Sequence, residues 1–137
     1  MNHDRMMTTS WRHRTIQQLE NRDFGEPALA PTNMVRRCLE LCKVPIEQFT
    51  VENLRLMIGQ QFCLRYLIPL AIEQLEQDLF AEGDLYPGDL VEKVLNVDKD
   101  FWLAHKELWK KVNELIRDKR PQLAAGGIPT EAFDTAV

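Results

Sequence analysis

The stretch DKDFWLAHKELWKKVNELIRDKR (residues 98–120) decides the fold class. Phe101, Trp102, His105, Leu108, Trp109, Val112, Leu115 and Ile116 recur at three- and four-residue spacing and form one apolar stripe, while Lys106, Glu107, Lys110, Lys111, Asn113 and Glu114 fall mostly off it. That is the pattern of an amphipathic helix with one face against a core. Asp98 can cap its start, and Pro121 marks where it must have stopped. The spacing predicts one continuous helix over residues 98–120.

Working outward from this helix, the same period returns. Thr32 stands as a cap before Val35, Cys38, Leu39 and Cys42, and Pro45 closes that helix. Thr50 offers its hydroxyl to a helix that runs to about Gly59. Pro69 reads as a first-turn proline, with Ile68, Ile72, Leu75 and Leu79 sharing one face to about Phe80. Turn-like residues 82–88 lead into a shorter helix that places Leu90, Val91, Val94 and Leu95 inward. Thr15, with Gln18 three residues on, carries the signature of a capping box for a short helix over residues 15–21. Few runs alternate with the period of two that marks a strand. The fold expected is all-α, a compact single-domain bundle of about five to six helices over residues 15–120. Residues 1–14 read as a mobile leader, and residues 121–137, with Gly126-Gly127 and Pro129, as a mobile tail.

The chain has 137 residues, with 17 Lys and Arg against 21 Asp and Glu, for a formal charge of −4. A chain of this length buries a core without disulfide or metal staples. A net acidic balance argues against an affinity built on neutralising phosphate, and a basic partner fits better. Three cysteines suit a reducing compartment rather than a secreted disulfide scaffold. No run approaches the roughly 20 apolar residues of a membrane span, and residues 1–14 lack the apolar stretch of a secretory signal. The expected location is the cytoplasm.

Little in the chain points to catalysis. Cys38, Cys42, Cys63 and His105 would together make a four-ligand zinc set, but their spacing matches no recognised zinc knuckle. Cys38 and Cys42 also occupy the apolar stripe of their helix, where cysteine behaves as a small core residue. Neither a local Cys-His signature nor a glycine-rich phosphate loop is present. The expectation is no catalytic residue, no metal and no cofactor.

Charge is more informative when resolved along the chain. Residues 61–96 hold two basic side chains, Arg65 and Lys93, and seven acidic ones, a local balance of −5. Residues 97–120 hold seven basic and five acidic, or +2. Glu73, Glu76, Asp78, Glu82, Asp84, Asp89 and Glu92 read either as a solvated face or as an electrostatic docking surface for a basic partner, with Tyr86 as its aromatic anchor. Glu73 and Glu76 are neighbours on one helix turn, and that like-charge pair costs a few tenths of a kcal/mol.

At Gly83-Asp84-Leu85-Tyr86-Pro87-Gly88-Asp89-Leu90 the chain resembles the small helical immunity proteins of bacterial contact-dependent growth inhibition (CDI) systems. The likeness extends to Asn21-Arg22-Asp23-Phe24-Gly25-Glu26-Pro27, Val35-Arg36-Arg37-Cys38, the run from Phe49 to Gln61, Tyr66-Leu67-Ile68-Pro69-Leu70-Ala71 and Asp100-Phe101-Trp102, so it covers about residues 15–120. The resemblance implies a cytoplasmic antitoxin that catalyses nothing and binds the carboxy-terminal toxin domain delivered by a neighbouring cell. Many such toxins are nucleases, whose clefts are basic because they attract phosphate, and an acidic inhibitor can occupy them. Residues common to the family serve the fold rather than the choice of toxin, so Tyr86, Pro87, Gly88 and Asp89 can equally form a turn and helix start. On the residues alone, a helical adaptor or regulatory module for another protein is the alternative.

Overall fold

The structure, a computed structural model, describes residues 11–137. Most of the expected leader, residues 1–10, therefore lies outside the described residues. Among those described, the chain is all-α, with nine α-helices, five of them seven residues or longer, and no strand. It divides into two compact units, one ending at Phe49 and the other running from Thr50 to Val137, a boundary inside the stretch that the sequence reads as one bundle.

In the first unit, Trp11–His13 forms a 3-10 turn, so the described end of the expected leader is folded. Two helices follow, α1 (Ile16–Glu20) and α2 (Asn33–Leu41). Thr15 and Gln18 close a full capping box, and Thr32 accepts the Val35 amide, both as their spacing predicts. Ile16, Cys38, Leu41, Cys42, Ile46 and Phe49 are buried. Backbone bonds from Gln17 to the Cys42 carbonyl (3.2 Å) and from Ile46 to the Arg14 carbonyl (3.0 Å) tie the ends of this unit together.

The second unit holds seven helices: α3 (Val51–Gly59), α4 (Leu64–Gln77), α5 (Asp89–Leu95), α6 (Lys99–Ala104), α7 (Lys106–Ile116), α8 (Arg120–Ala125) and α9 (Glu131–Asp134). Thr50 and Asn53 form a capping box at the start of α3. Helix α3 packs on α5 and α4, and α4 packs on α7. Leu108, Val112 and Ile116 of α7 are buried at four-residue spacing, while Lys110, Lys111 and Glu114 are exposed. Among the described residues no helix is long and apolar enough to cross a membrane.

Three expectations change here. The helix over residues 98–120 is broken at His105, which ends α6 and begins α7: its amide bonds the Trp102 carbonyl, and its carbonyl accepts the Leu108 and Trp109 amides. The break lets Trp102 and Trp109 close on the same ring of Phe133, at 5.3 Å edge-on and 5.1 Å stacked. Pro69 lies inside α4, which starts five residues before it from Cys63 in the left-handed region (φ 49°). And residues 121–137, read from sequence as a tail, carry α9 and most of α8: Pro121 sits in the first turn of α8, where its missing amide hydrogen is not needed.

What folds this segment is contact with residues distant in sequence. Phe133 is fully buried, and Leu123, Ile128 and Ala136 are buried with it. The Trp109 indole Nε1 donates to the Phe133 carbonyl at 2.9 Å. Arg120 Nη1 reaches Asp134 Oδ2 at 2.7 Å and Thr130 Oγ1 at 2.9 Å, and Nη2 donates to Asn113 Oδ1 at 3.2 Å. The Arg120 hydrogen bond holds the Asp134 carboxyl below its usual range.

Replacing Phe133 with alanine removes the ring between two tryptophans and leaves a cavity, so it should lower unfolding stability by about 3–5 kcal/mol. Urea unfolding followed by tryptophan fluorescence measures this; a wild-type midpoint in the Phe133→Ala variant would mean that residues 121–137 add nothing to the core.

Candidate functional site

The motif at residues 83–90 forms a loop whose backbone is organised by two carboxylates. Four consecutive amides point into it and all four are met. The Gly83 amide donates to Asp89 Oδ1 at 2.7 Å, the Asp84 amide to Glu52 Oε1 at 2.8 Å, and the Leu85 and Tyr86 amides to Asp89 Oδ2 at 3.0 and 3.4 Å. Such a run of amides is the kind of concavity that binds an anion. Here the anions come from the protein's own helices α3 and α5.

Arg55 balances the charge. Its Nε and Nη2 make a two-pronged bond to Glu52 at 2.6 and 2.5 Å, one turn along α3, and Nε lies 3.9 Å from Asp89 Oδ2. The Arg55 hydrogen bond, reinforced by the Asp84 amide against the opposing effect of partial burial, holds the Glu52 carboxyl below its ordinary value. Glu52 in turn raises the Arg55 guanidinium above its own.

Two glycines admit this geometry. A Cβ on Gly83 would stand 2.6 Å from Glu52 Oε1 and 3.2 Å from the Glu52 Cα, inside the space the carboxylate occupies. Gly88 adopts φ +88°, and a Cβ there would meet Ile128 Cδ1 at 2.6 Å. An antiparallel bridge between Glu82 and Pro87 and a bond from the Gly88 amide to the Phe80 carbonyl (3.1 Å) close the base of the loop.

The acidic residues expected at a docking surface fall into different places. Asp89 is not on the surface: it is 0% exposed and committed to the loop amides, so its part is structural. Glu82 and Asp84 are exposed on the loop, and Glu92 is half-buried on α5, where its Oε1 accepts the Tyr86 hydroxyl. Tyr86 is 39% exposed and Leu85 beside it 56%, an apolar tip that the acidic pattern alone does not single out. Glu73 and Glu76 are exposed on α4. Asp78 is exposed beyond the end of α4, its Oδ1 accepting the Phe80 amide at 3.0 Å. Glu76 and Asp78 line a surface cleft of about 390 Å³ that also includes Lys119.

Glu52 and Arg55 are site residues that the sequence alone does not single out. Their three-residue spacing is the available signal, but nothing local says that the pair supports a loop some 30 residues on. The cysteine and histidine set is divided. Cys38 and Cys42 are buried in the first unit; Cys63 and His105 belong to the second. Burial, with Cys38 nearby, pushes the Cys42 thiol up to about 11, which suits an inert core residue. His105 stacks on Phe101 at 4.3 Å with Nδ1 3.0 Å from the Phe101 carbonyl. Among the described residues no group of three or more His, Cys, Asp and Glu side chains is placed to hold a metal ion.

Because Glu52 titrates below its unfolded value, the stability it contributes is complete above the ordinary glutamate pKa of about 4.3 and is lost as the pH falls through the depressed one. The urea midpoint of the wild type should therefore drop more steeply below about pH 4.3 than that of Glu52→Gln; parallel curves would show that the bond to Arg55 has no net effect on folding. Asp89→Ala leaves three amides without their acceptor and removes one of the two carboxylates beside Arg55, and should cost about 3 kcal/mol at neutral pH in the same measurement.

No curated protein and no solved structure is significantly similar to the chain. The family described as CDI immunity proteins matches residues 18–112, which hold the loop, both of its carboxylates and Arg55. The chain belongs to that family, the CDI immunity proteins, and its role is immunity against a CDI toxin.

Proposed function

We propose that this immunity protein acts in the cytoplasm as a stoichiometric inhibitor, without a reaction of its own, and that the toxin it binds is a nuclease with a basic cleft. Contact is made by the exposed acids Glu73, Glu76, Asp78, Glu82 and Asp84 and the half-buried Glu92 around the tip formed by Leu85 and Tyr86. The observation that carries the reading is that tip: two large side chains, 56% and 39% exposed, raised on a loop whose four amides from 83 to 86 are already bonded. An exposed aromatic on a rigid support is what an interface anchor requires, because little conformational freedom is lost on binding. The surrounding charge suits a partner built to attract phosphate. Exposed charges of this kind act mainly on the association rate and the choice of partner, and the buried anchor on the lifetime of the complex.

Co-purification with the toxin domain of the adjacent gene, with a nuclease assay in the presence and absence of the immunity protein, tests the pairing directly. Reversing Glu73, Glu76 and Glu82 together to lysine should slow association by about tenfold or more at low salt and flatten its salt dependence. Tyr86→Ala should instead speed dissociation, weakening the complex by about 30-fold, which corresponds to roughly 2 kcal/mol. If the triple reversal leaves both association rate and protection unchanged, the acidic surface is not the contact. A tight complex with a toxin that cleaves no nucleic acid would overturn the nuclease assignment while leaving the binding surface standing.

A further inference from the structure

The family match ends at residue 112, yet the chain continues into α8 and α9, and one residue there stands directly behind the loop. Ile128 is buried at 2% exposure, and its Cδ1 occupies the space a side chain on Gly88 would need. Phe80 shares that place: its ring lies 3.2 Å from the same ideal Cβ position, and its carbonyl accepts the Gly88 amide. Gly88 immediately precedes Asp89, the residue whose carboxylate gathers three loop amides. A shift of Gly88 would therefore carry Asp89 and the loop with it.

Ile128 is itself fixed on both sides in sequence. Before it, Arg120 is held by Asn113 and bonds Thr130 and Asp134 across the Ile128 turn. After it, Phe133 lies between Trp102 and Trp109, with the Trp109 indole on its carbonyl. The backbone from residue 120 to residue 134 is thus a strap tied at each end, and Ile128 is the point where it bears on the loop.

We propose that Ile128 is a positioning residue for the toxin-binding loop: the segment beyond the family match clamps Gly88 and so holds Leu85 and Tyr86 in their binding arrangement. The second part rests on the reading above that this loop meets the toxin. Removing the Ile128 side chain loosens the loop from beneath without touching any surface residue.

Amide hydrogen exchange on the 137-residue chain tests the clamp separately from binding. In Ile128→Ala, the amides of Gly83, Leu85 and Tyr86 should exchange about tenfold or more faster, while the Val112 amide in α7 is much less affected, because a local opening precedes global unfolding. Ile128→Val, which lacks Cδ1 and keeps the fold, should give a smaller acceleration confined to the same three amides, about threefold. Equal acceleration of loop and α7 amides in both variants would mean a general loss of stability and overturn the proposal, as would unchanged loop exchange. Toxin affinity is then read on the same variants. If it weakens in step with loop exchange, the clamp serves binding; if the loop opens while affinity holds, the clamp stands and the loop is not the toxin contact.

Discussion

A carboxylate taken out of water costs several kcal/mol unless donors replace the water it has lost, and the fully buried Asp89 meets that condition only through the loop it supports. Its two oxygens are reached by the amides of Gly83, Leu85 and Tyr86, and Arg55 stands 3.9 Å away. The dependence runs in both directions. Without Asp89 and Glu52 the four amides from 83 to 86 would compete for water in a partly buried turn; without that turn, two carboxylates would face one guanidinium. Helices α3 and α5 are brought into register by this exchange of charge and hydrogen bonds as well as by apolar packing. The loop is tied to both helices for that reason.

The acids of residues 61–96 consequently do different physical work although the sequence writes them alike. Asp89 is inside and held by amides, Asp78 turns back on the Phe80 amide, and Glu92 accepts the Tyr86 hydroxyl. Glu73, Glu76, Glu82 and Asp84 expose their side chains. The local balance of −5 thus overstates what solvent sees, since one charge is enclosed and neutralised from within. Lys119, in the cleft with Glu76 and Asp78, bounds the acidic region on the side of α8.

What the sequence showed was what adjacent residues decide. Thr15, Thr32, Thr50 and Asp98 all accept the amides their positions predict, because a cap is an interaction over two or three residues. The apolar periodicity of α5 and α7 was legible for the same reason, whereas around α2 Cys38 and Cys42 are buried as expected but Val35 is exposed and Leu41, off the expected stripe, is buried. The break at His105 was not legible: the apolar stripe runs on through it, and the ring that Trp102 and Trp109 share on its two sides belongs to Phe133, distant in sequence. Pro69 misled because a first-turn proline is the common case, whereas α4 begins earlier at Cys63 with φ 49°. Residues 121–137 carry the glycines and proline of a loop, and only burial of Phe133 and Ile128 against distant rings and turns makes them part of the core. For the site, the motif was visible but its partition was not. Which acid faces inward depends on where Glu52 and Arg55 stand, and the chain does not write that down.

The separation of roles inside one eight-residue motif has a consequence for how an immunity protein can change its target. Gly83, Gly88 and Asp89 are fixed by backbone and hydrogen bonding: a Cβ on Gly83 would stand 3.2 Å from the Glu52 Cα and press on the Glu52 carboxylate, Gly88 holds φ +88°, and the Asp89 carboxylate reaches three amides. Asp84, Leu85 and Tyr86 contribute only their backbone amides to that network, and every residue other than proline has one. The Asp84 and Leu85 side chains are therefore released from the duty of holding the loop, while that of Tyr86 also bonds Glu92 through its hydroxyl. A surface built this way can exchange the groups it presents while the loop beneath keeps its shape. A partner that bound such a surface would forfeit little conformational entropy, because the backbone is ordered beforehand.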